Sequence, residues 1–349
     1  MTQDAPLRHA IHQLSVGRSL TAEAAAAAFG VVMAGEATAV QTAALLMGLR
    51  AKGETAEEVA GAAQALRQAM VRLEAGHDGM VDTCGTGGGR VGTVNISTAA
   101  AFIVAGAGVP VAKHGNRSYT SRSGSADVLE ALGIDIGLPP SRASVVLRET
   151  GLVFLFAPAY HPAMRHAGPV RKELGVATIM NLLGPLANPA GVRRQVIGVA
   201  SADRAPLVAA ALARLGSAHA LVVHAAVGMD EVSPSGLTTV WEVREGSVSQ
   251  WEVDPAALEL ECHELDDLAG GEPEDNARRM ERLLEGGGAS AERCAVLLNA
   301  AAALYVSGRG WTLAEAVSRA RASLESGAAM RALTALRLAA PAGERQAAR

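Results

Sequence analysis

A glycine-rich segment near residue 85 is the part of the sequence that most clearly indicates chemistry. It reads Asp-Thr-Cys-Gly-Thr-Gly-Gly-Gly-Arg over residues 82–90, between a predicted strand and a predicted helix. The backbone N–H groups of such a turn, together with a helix N-terminus, can surround an anion, and phosphate is the natural ligand. A simple tight turn would also explain the glycines, so both interpretations stay open at this point.

Two familiar nucleotide-binding motifs fit this segment poorly. The P-loop ends in Gly-Lys-Ser or Gly-Lys-Thr, which is absent here. The spacing Gly87-x-Gly89-x-x-Gly92 matches the dinucleotide fingerprint, but no acidic residue occurs between Thr83 and Ala126 to bind a ribose. The sequence therefore gives little support to nucleoside triphosphate hydrolysis or to a nicotinamide cofactor.

Residues 113–125 predict a second anion-binding loop. The segment contains Lys113, Arg117 and Arg122, many hydroxyl groups, and no acidic residue of its own. It follows the predicted strand Val109–Ala112, and α/β sheets bind ligands beyond the carboxyl ends of their strands. A solvated basic surface loop is the alternative interpretation.

Polar side chains open the helix that follows the glycine-rich segment. Asn95, Ser97 and Thr98 stand at its beginning, where capping of the helix is the commonest use of such residues. Their position next to a predicted phosphate site makes ligand binding the second possibility.

Adjacent carboxylates follow the predicted strand Ala220–His224. Asp230 and Glu231 are suited to hold Mg²⁺, which prefers oxygen ligands and neutralises phosphate groups. An acidic pair is usually only a solvated turn, but two anion-binding loops require a countercharge. We therefore expect a magnesium site here.

Aromatic residues are rare, with 4 Phe, 3 Tyr and 3 Trp, yet three of them fall within seven positions. A flat substrate could lie against Phe154, Phe156 and Tyr160, although packing in the core explains the two phenylalanines equally well. Arg171, on a predicted short helix Pro169–Leu174, could bind a carboxylate or simply face water.

Apolar periodicity predicts an all-helical region followed by an α/β region. The first four predicted helices are Leu7–Val16, Thr21–Met33, Thr38–Lys52 and Thr55–Ala75. Strands are predicted at Met80–Thr83, Val109–Ala112, Leu152–Phe156, Gln195–Val199, Ala220–His224 and Leu237–Val243. Helices are predicted between them at Asn95–Gly106, Ala126–Leu132, Arg142–Thr150 and Ala205–Leu215, and again over residues 289–339. This alternation predicts a mostly parallel sheet covered by helices, in a domain that begins near residue 76.

Composition excludes several classes of protein. The chain has 349 residues, 49% of them hydrophobic, and a net charge of −4, which argues against general binding of nucleic acid. Three cysteines, Cys84, Cys262 and Cys294, form neither a disulfide framework nor a zinc motif. No signal peptide or membrane span is predicted. We expect a cytoplasmic protein with no nucleic-acid or membrane partner.

Taken together, the motifs resemble the anthranilate phosphoribosyltransferase family over nearly the whole chain. The segments that carry the resemblance are Gly85-Thr-Gly-Gly88, Asn95-Ile-Ser-Thr98, Val111-Ala-Lys-His-Gly-Asn-Arg117, Ser121-Arg-Ser-Gly-Ser-Ala-Asp127, His161-Pro-Ala-Met164, Arg171-Lys-Glu-Leu-Gly175, Asn181-Leu-Leu-Gly-Pro-Leu-Ala-Asn-Pro189 and Gly228-Met-Asp-Glu231.

The resemblance implies a reaction and an architecture. The reaction is transfer of the 5-phosphoribosyl group from phosphoribosyl diphosphate to the amino group of anthranilate, with Mg²⁺ and release of diphosphate, in tryptophan biosynthesis. The architecture is that of nucleoside phosphorylases and phosphoribosyltransferases, and the resemblance implies a homodimer. A small helical domain would comprise residues 1–75 and part of 164–190, and a large α/β domain would comprise 76–163 and 191–349.

The resemblance also implies roles for individual residues. Phosphoribosyl diphosphate would be bound by Gly85, Gly88, Asn95, Ser97, Thr98 and Lys113. Magnesium would be held by Ser97, Asp230 and Glu231. The binding site for anthranilate would be lined by Gly85, His114, Asn116, Tyr160, His161, Arg171 and Pro185. Arg171 would bind the carboxylate of anthranilate. No residue is assigned as a nucleophile or as a general acid or base.

Two segments depart from the family pattern. Gly89-Arg90 stands where the glycine-rich loop usually continues with Asp, and Ala177-Thr-Ile-Met180 replaces the usual Arg-Thr-Ile-Phe. Alternatives therefore stay open at the level of sequence. They are a paralogue that uses another aromatic or nucleobase acceptor, a pyrimidine nucleoside phosphorylase, and a nucleic-acid-binding relative without catalysis.

Overall fold

The computed structural model of the protein describes residues 4–76, 79–89, 91–118, 122–261 and 264–343. Arg90, Ser121 and Cys262, which the sequence analysis singles out, lie outside these ranges. The helices before the third strand of the sheet are α1 (Ala5–Ser15), α2 (Ala22–Ala34), α3 (Ala39–Lys52), α4 (Ala56–Ala69), α5 (Ile96–Gly106), α6 (Ser125–Ala131) and α7 (Pro140–Thr150). The later helices are α8 (Ala157–Tyr160), α9 (Gly168–Leu174), α10 (Met180–Leu183), α11 (Ala205–Arg214), α12 (Pro273–Leu284), α13 (Ser290–Val306), α14 (Leu313–Glu325) and α15 (Ala328–Ala339). None of the helices in the described ranges is both long and apolar enough to cross a bilayer.

A seven-stranded sheet forms the centre of the larger part of the molecule. Its strands are β1 (Val81–Gly85), β2 (Val111–Gly115), β3 (Leu152–Phe156), β4 (Arg194–Gly198), β5 (His219–Ala225), β6 (Thr238–Arg244) and β7 (Ser247–Val253). Their order across the sheet is β3-β2-β1-β4-β5-β6-β7. The first five strands run parallel, whereas β6 and β7 are antiparallel to their neighbours. The predicted mostly parallel sheet is confirmed.

Threonine caps define the starts of three of the four N-terminal helices. The hydroxyl groups of Thr21, Thr38 and Thr55 accept hydrogen bonds from backbone N–H groups in the first turn of the following helix. Each cap satisfies a donor that the helix itself leaves without a partner. The apolar faces of these helices then pack into one bundle, in which α2 and α4 lie closest together.

Helix α4 ends at Ala69, so the predicted helix Thr55–Ala75 is too long by six residues. From Met70 the backbone is extended, with ψ near 155°. The N–H of Val71 donates to the carbonyl oxygen of Tyr160 at 2.8 Å, and the N–H of Leu73 donates to that of Pro189 at 3.0 Å. These contacts to distant parts of the chain replace helical hydrogen bonds.

The two faces of the sheet belong to different apolar clusters. On one face, α5, α13, α14 and α15 pack in a layer that includes Phe102, Leu298 and Leu333. On the other face lies α11, and its cluster continues without a break into the N-terminal helical bundle. The bundle is therefore anchored to the sheet through α11, which packs directly against α4.

Polar contacts reinforce this junction. Arg204 and Glu54 form an ion pair at 2.5 Å, and Arg214 and Glu57 form another at 3.1 Å. In addition, buried side chains between Ala163 and Ala187 share the apolar cluster of the bundle. The division of the chain into residues 1–75 with part of 164–190, and 76–163 with 191–349, stays a prediction.

Strand β7 and helix α12, as well as the four-residue helices α8 and α10, escape the sequence analysis. Strand β7 is exposed along most of its length, because it is the edge of the sheet, and its polar residues give no apolar pattern. Helix α12 is rich in charged residues and buries only one stripe, which includes Met280 and Leu284. The helical tail predicted over residues 289–339 is confirmed as the three helices α13, α14 and α15.

Gly61 should be essential for the close approach of α4 to α2. An added Cβ at Gly61 would lie 2.2 Å from the carbonyl oxygen of Ala22, whereas one at Gly30 has no atom within 4 Å. We expect Gly61→Ala to lower the free energy of unfolding by about 1–3 kcal/mol through overpacking. Gly30→Ala, the matched control, should raise it by up to about 1 kcal/mol, since helical alanine is favoured over glycine. Denaturant unfolding of both variants measures this, and equal effects would contradict the packing argument.

Candidate active site

The glycine-rich segment leaves the sheet at the end of β1. The N–H of Thr86 donates to the carbonyl oxygen of Gly198 at 2.9 Å, which ties the start of the turn to β4. Gly87 and Gly88 have φ values of 67° and 80°, a left-handed conformation that favours glycine. An added Cβ at either position has no atom within 4 Å, so the outer side of the turn is open. The turn is therefore shaped and accessible for an anion.

Lys113 lies inside strand β2 and not in the loop that the sequence analysis predicts. Its side chain is buried, and Nζ donates to the carbonyl oxygen of Thr83 and, at 3.2 Å, to Oγ of Ser97. Burial lowers the pKa of Lys113, and the carboxylates of Asp82 and Glu231 oppose that shift. A strand can hold a lysine here because its ammonium group reaches the polar atoms of β1 and α5.

Asp82, on strand β1, is a residue whose role the sequence analysis misses. Its buried carboxylate accepts hydrogen bonds from the N–H of His114 at 3.1 Å and from Nδ2 of Asn188 at 2.8 Å. Nε2 of Gln195 lies 3.4 Å away. Burial raises the pKa of Asp82, while Lys113 and the donors oppose the shift. A charged residue amid the apolar positions of a strand is the signal that could have revealed this network.

The beginning of α5 joins the glycine-rich turn to the acidic pair. The N–H of Ser97 donates to Oε1 of Glu231 at 3.3 Å, and the hydroxyl of Thr83 donates to the carbonyl oxygen of Ser97 at 3.0 Å. Thr98 is buried beside them. The structure thus brings together Ser97, Lys113 and Glu231, which the sequence places on three separate segments.

Asn95 makes no capping hydrogen bond to its own helix. Instead, its Nδ2 donates to the carbonyl oxygen of Ser123 at 3.1 Å, and its Oδ1 accepts from Nδ2 of Asn276 at 2.9 Å. The capping interpretation is therefore wrong for Asn95. The residue connects the glycine-rich region to the loop after β2 and to α12.

The acidic pair is fixed by a residue on α13. The side-chain amide of Asn299 accepts from the N–H of Val232 at 2.9 Å and donates to its carbonyl oxygen at 2.8 Å. Burial is the main cause that raises the pKa of Asp230, and burial together with Asp230 raises that of Glu231 to about 8. Asn299, a single amide in the otherwise apolar run Cys294–Leu304 of α13, is a second positioning residue whose signal was present in the sequence.

The departure at position 89 has a structural counterpart. An added Cβ at Gly89 would lie 2.9 Å from Oδ1 of Asp230, and one at Gly85 would lie 3.2 Å from Oδ2 of the same carboxylate. Asp230 therefore fills the space beside the glycine-rich turn. Any larger side chain at position 89 requires the Asp230 carboxylate to move.

The residues around Ser97 suit a divalent cation that arrives with a phosphorylated substrate. The carboxylates of Asp230 and Glu231 are adjacent, the backbone N–H of Ser97 donates to Glu231, and burial is the main cause that raises the pKa of both carboxyl groups. Within the described residues, no three His, Cys, Asp or Glu side chains gather into a cage. Magnesium is commonly bound in this way, through one or two carboxylates plus substrate oxygens.

The imidazole rings of His114 and His161 contact each other. Their Nε2 atoms are 3.2 Å apart, and both side chains are buried. Burial lowers the pKa of His114 to about 3 and that of His161 to about 4, so both rings are neutral near pH 7. Tyr160, next to His161, is buried, and burial raises its pKa to about 12.

The loop after β2 is less basic than the sequence analysis predicts. The guanidinium of Arg117 pairs with Asp127 at 2.9 Å and with Glu130 at 2.5 Å, so the expectation of an unneutralised basic loop is wrong for this residue. Asn116 is near the strand end, where its Oδ1 accepts from the N–H of Arg117 at 2.8 Å. Arg122 is exposed.

The remaining predicted residues occupy the side of the site that faces the helical bundle. Arg171 is half-buried on α9, which packs against α3. Pro185 is buried, and its carbonyl oxygen accepts from Nε2 of Gln195 at 2.9 Å. Phe154 packs in the core, and Phe156 lies under the guanidinium of Arg117, which favours packing over substrate contact for both.

Comparison with known proteins agrees with this arrangement. Residues 77–330 match the model of the glycosyl transferase family α/β domain, and residues 8–70 match that of its helical bundle domain. The chain is 49% identical to an anthranilate phosphoribosyltransferase of Rubrobacter xylanophilus over 94% of this chain and 95% of that protein. It is 50% identical to one of Desulforudis audaxviator, with 95% of each covered.

Solved structures show the same relationship. Anthranilate phosphoribosyltransferase from Thermus thermophilus superposes with a TM-score of 0.89 at 43% identity, covering 94% of this chain and 99% of that one. The enzyme from Saccharomyces cerevisiae, solved in complex with PRPP and Mg, gives a TM-score of 0.87 at 30% identity, covering 96% and 98%.

A helical bundle joined to an α/β domain, with a glycine-rich turn and an acidic pair at the ends of the strands, defines a glycosyltransferase. The matched relatives narrow this class. All of them are anthranilate phosphoribosyltransferases, and the similarity extends over almost the full length of both chains. The chain belongs to the anthranilate phosphoribosyltransferase family. The resemblance seen in the sequence motifs is confirmed, and so is the predicted fold class.

Proposed function

We propose that this chain transfers the 5-phosphoribosyl group from phosphoribosyl diphosphate to the amino group of anthranilate, in tryptophan biosynthesis. The observation that carries the proposal is the buried Lys113, whose ammonium group lies between the glycine-rich strand end, Ser97 and the acidic pair. The site around Lys113 thus combines a positive charge, open backbone N–H groups and oxygen ligands for a cation. This combination suits a diphosphate and its magnesium ion.

The diphosphate is assigned to the glycine-rich turn and to α5. Gly88 borders open space and leaves room for close approach, whereas Gly85 would offer its backbone beside Asp230. Asn95, Ser97 and Thr98 lie at the beginning of α5. Lys113 supplies a fixed positive charge from strand β2. Because Nζ already has oxygen partners, it is oriented before the substrate arrives, and little reorganisation is needed on binding.

Ser97, Asp230 and Glu231 would hold the magnesium. When bound, the cation supplies positive charge that stabilises the diphosphate as it leaves. Asn299 keeps the loop of the acidic pair in place through Val232. Asp230 also closes against Gly85 and Gly89, so the same carboxylate borders the diphosphate turn.

The reaction breaks the carbon–oxygen bond to diphosphate, and the electron pair departs with the oxygen. The amino nitrogen of anthranilate forms the new bond to the same carbon, and a proton leaves the nitrogen. This chain contributes orientation of both substrates and stabilisation of the leaving group by Lys113 and the turn. Neither step requires a protein nucleophile.

Anthranilate is assigned to the side of the site that faces the helical bundle. His114, Asn116, Tyr160, His161 and Pro185 would line its route from Gly85 outward, and Arg171 would bind its carboxylate. Because this part of the site lies between the helical bundle and the sheet, we expect a cleft that excludes water. Exclusion of water protects the reacting ribose carbon from hydrolysis.

We also propose that the protein is a cytoplasmic homodimer. Val40, with 79% of its surface exposed, and Met47 lie seven residues apart on α3 and hence on one face of that helix. An exposed apolar face of the bundle supports association of two copies. No feature of the described residues favours another acceptor, a nucleoside phosphorylase or binding of nucleic acid.

Anthranilate fluorescence provides the test of the function. We expect the purified protein to consume fluorescent anthranilate only when both phosphoribosyl diphosphate and Mg²⁺ are present. Asp230→Asn combined with Glu231→Gln should lower that rate at least about 100-fold, because charge stabilisation of the leaving group is lost.

The control is Asp254→Asn, which removes an exposed carboxylate of the same chain. It should leave the rate within about twofold. No fluorescence loss with the folded wild-type protein would refute the proposed acceptor. An unchanged magnesium response in the double variant would place the metal elsewhere.

Arg171 provides a separate test of specificity. We expect Arg171→Ala to raise the KM for anthranilate roughly 30- to 700-fold, about 2–4 kcal/mol, since a desolvated carboxylate loses its charged partner. The KM for phosphoribosyl diphosphate should change less than about threefold. Arg165→Ala, which alters an exposed arginine close by, is the control. Equal loss toward both substrates would identify Arg171 as a residue of folding or domain movement.

A further inference from the structure

A short chain of side-chain amides runs from α12 to the loop after β2. Oδ1 of Asn276, in the first turn of α12, accepts from the N–H of Gly271 at 2.9 Å, and its Nδ2 donates to Oδ1 of Asn95 at 2.9 Å. Nδ2 of Asn95 in turn donates to the carbonyl oxygen of Ser123 at 3.1 Å. Segments that are far apart in sequence therefore meet at the side chain of Asn95.

The two ends of this chain of amides fix the direction of each hydrogen bond in it. The N–H of Gly271 can only donate, so Oδ1 of Asn276 must face it, and the amino group of Asn276 is left for Asn95. The carbonyl oxygen of Ser123 can only accept, so the amino group of Asn95 must face it. Both amide orientations therefore follow from backbone groups, and each amide supports the orientation of the other.

Backbone contacts hold the segment before α12 against the glycine-rich segment. The N–H of Val94 donates to the carbonyl oxygen of Leu268 at 2.9 Å. An added Cβ at Gly270 would lie 2.4 Å from the carbonyl oxygen of Thr93, so the two backbones are in close contact there. Helix α12 therefore starts from a fixed place beside the beginning of α5.

Asn276 and Asn95 differ in what they can offer to a ligand. Asn276 is buried, with 2% of its surface exposed, whereas Asn95 is half-buried. Nδ2 of Asn95 carries two hydrogens, and the carbonyl oxygen of Ser123 accepts one of them. Among the described residues, the second hydrogen has no acceptor. Asn95 can therefore donate to an oxygen of a ligand, and Asn276 can act on that ligand only through Asn95.

We propose that Asn276 is a positioning residue for phosphoribosyl diphosphate, because it holds the amide of Asn95 in the orientation that leaves one N–H for an oxygen of the substrate. The inference rests on the proposed function, which assigns Asn95 to this ligand. An anionic ligand attracts an N–H group and repels an amide oxygen, so the orientation of the amide matters for affinity. Since Asn276 fixes that orientation before the ligand arrives, binding does not have to order the amide.

Asn276→Asp isolates this role, because the side chain keeps its size and one carboxylate oxygen can still accept from Gly271. The other oxygen cannot donate to Oδ1 of Asn95, so the amide of Asn95 must turn or lose its partner. We expect the dissociation constant of phosphoribosyl diphosphate with Mg²⁺, measured by calorimetry, to rise about tenfold or more. The KM for anthranilate at saturating phosphoribosyl diphosphate should stay within about threefold of wild type.

Two further variants separate the position of the amide from the charge that Asn276→Asp adds. Asn276→Ala adds no negative charge near the ligand and should weaken binding by a similar factor. Glu274→Gln, which alters an exposed residue in the same turn of α12, is the matched control and should keep the wild-type dissociation constant. Weaker binding by Asn276→Asp beside unchanged binding by Asn276→Ala would assign the effect to charge repulsion and overturn the inference.

A double-mutant cycle with Asn95→Ala decides whether Asn276 acts through Asn95. The measured quantity is kcat/KM for phosphoribosyl diphosphate, from anthranilate fluorescence at low concentrations of this substrate, because it stays measurable in weakly binding variants. We expect Asn276→Asp to lower kcat/KM about tenfold or more in the wild-type background, but less than about twofold in the Asn95→Ala background. Equal factors in the two backgrounds would identify Asn276 as a residue of the fold alone and contradict the inference.

The proposed function and the inference fail in different ways. Unchanged binding by both Asn276 variants, with wild-type protein that binds phosphoribosyl diphosphate and consumes anthranilate, would overturn the inference alone. Wild-type protein that binds phosphoribosyl diphosphate but leaves anthranilate unconsumed would contradict the proposed acceptor, and calorimetry of the Asn276 variants would still decide the inference. Wild-type protein that binds no phosphoribosyl diphosphate would contradict both.

Discussion

The buried carboxylate of Asp82 holds together the parts of the chain that form the site. It receives the N–H of His114 from β2, the amide of Asn188 and, more distantly, that of Gln195 from β4. Asn188 also donates to the carbonyl oxygen of Ala112, so the segment returning from the bundle is tied to both central strands. Removing one member of a buried pair of opposite charges, such as Asp82 and Lys113, typically costs about 3–5 kcal/mol.

The same carboxylate explains how a lysine can remain in the core. Burial disfavours the ammonium group of Lys113, and the negative charges of Asp82 and Glu231 offset that cost. Lys113 in turn favours the ionised form of both acids. The site is thus a set of buried charges that are stable only together. Under the proposed function, a phosphorylated substrate with its cation would add both signs of charge to this set, which would link the fold directly to ligand binding.

Local patterns in the sequence predicted the parts of the fold that bury apolar residues. The strand Leu152–Phe156 and the start of α11 at Ala205 are reproduced, because apolar runs end at turn residues there. Strand β2 was predicted to end at Ala112, since Lys113 and His114 look like loop residues until Asp82 and Ser97 are seen beside them. The site residues that the motifs predict stay a prediction, and they do not include Asp82 or Asn299, whose partners lie far away in sequence.

Binding of phosphoribosyl diphosphate with Mg²⁺ to Asp82→Asn, measured by calorimetry, tests this account most directly. The substitution keeps the size of the side chain but removes its charge and turns one acceptor into a donor. The account predicts a dissociation constant at least about tenfold above wild type, in a protein that still unfolds cooperatively, because Lys113 and His114 lose their fixed position. An unchanged dissociation constant in the folded variant would contradict it.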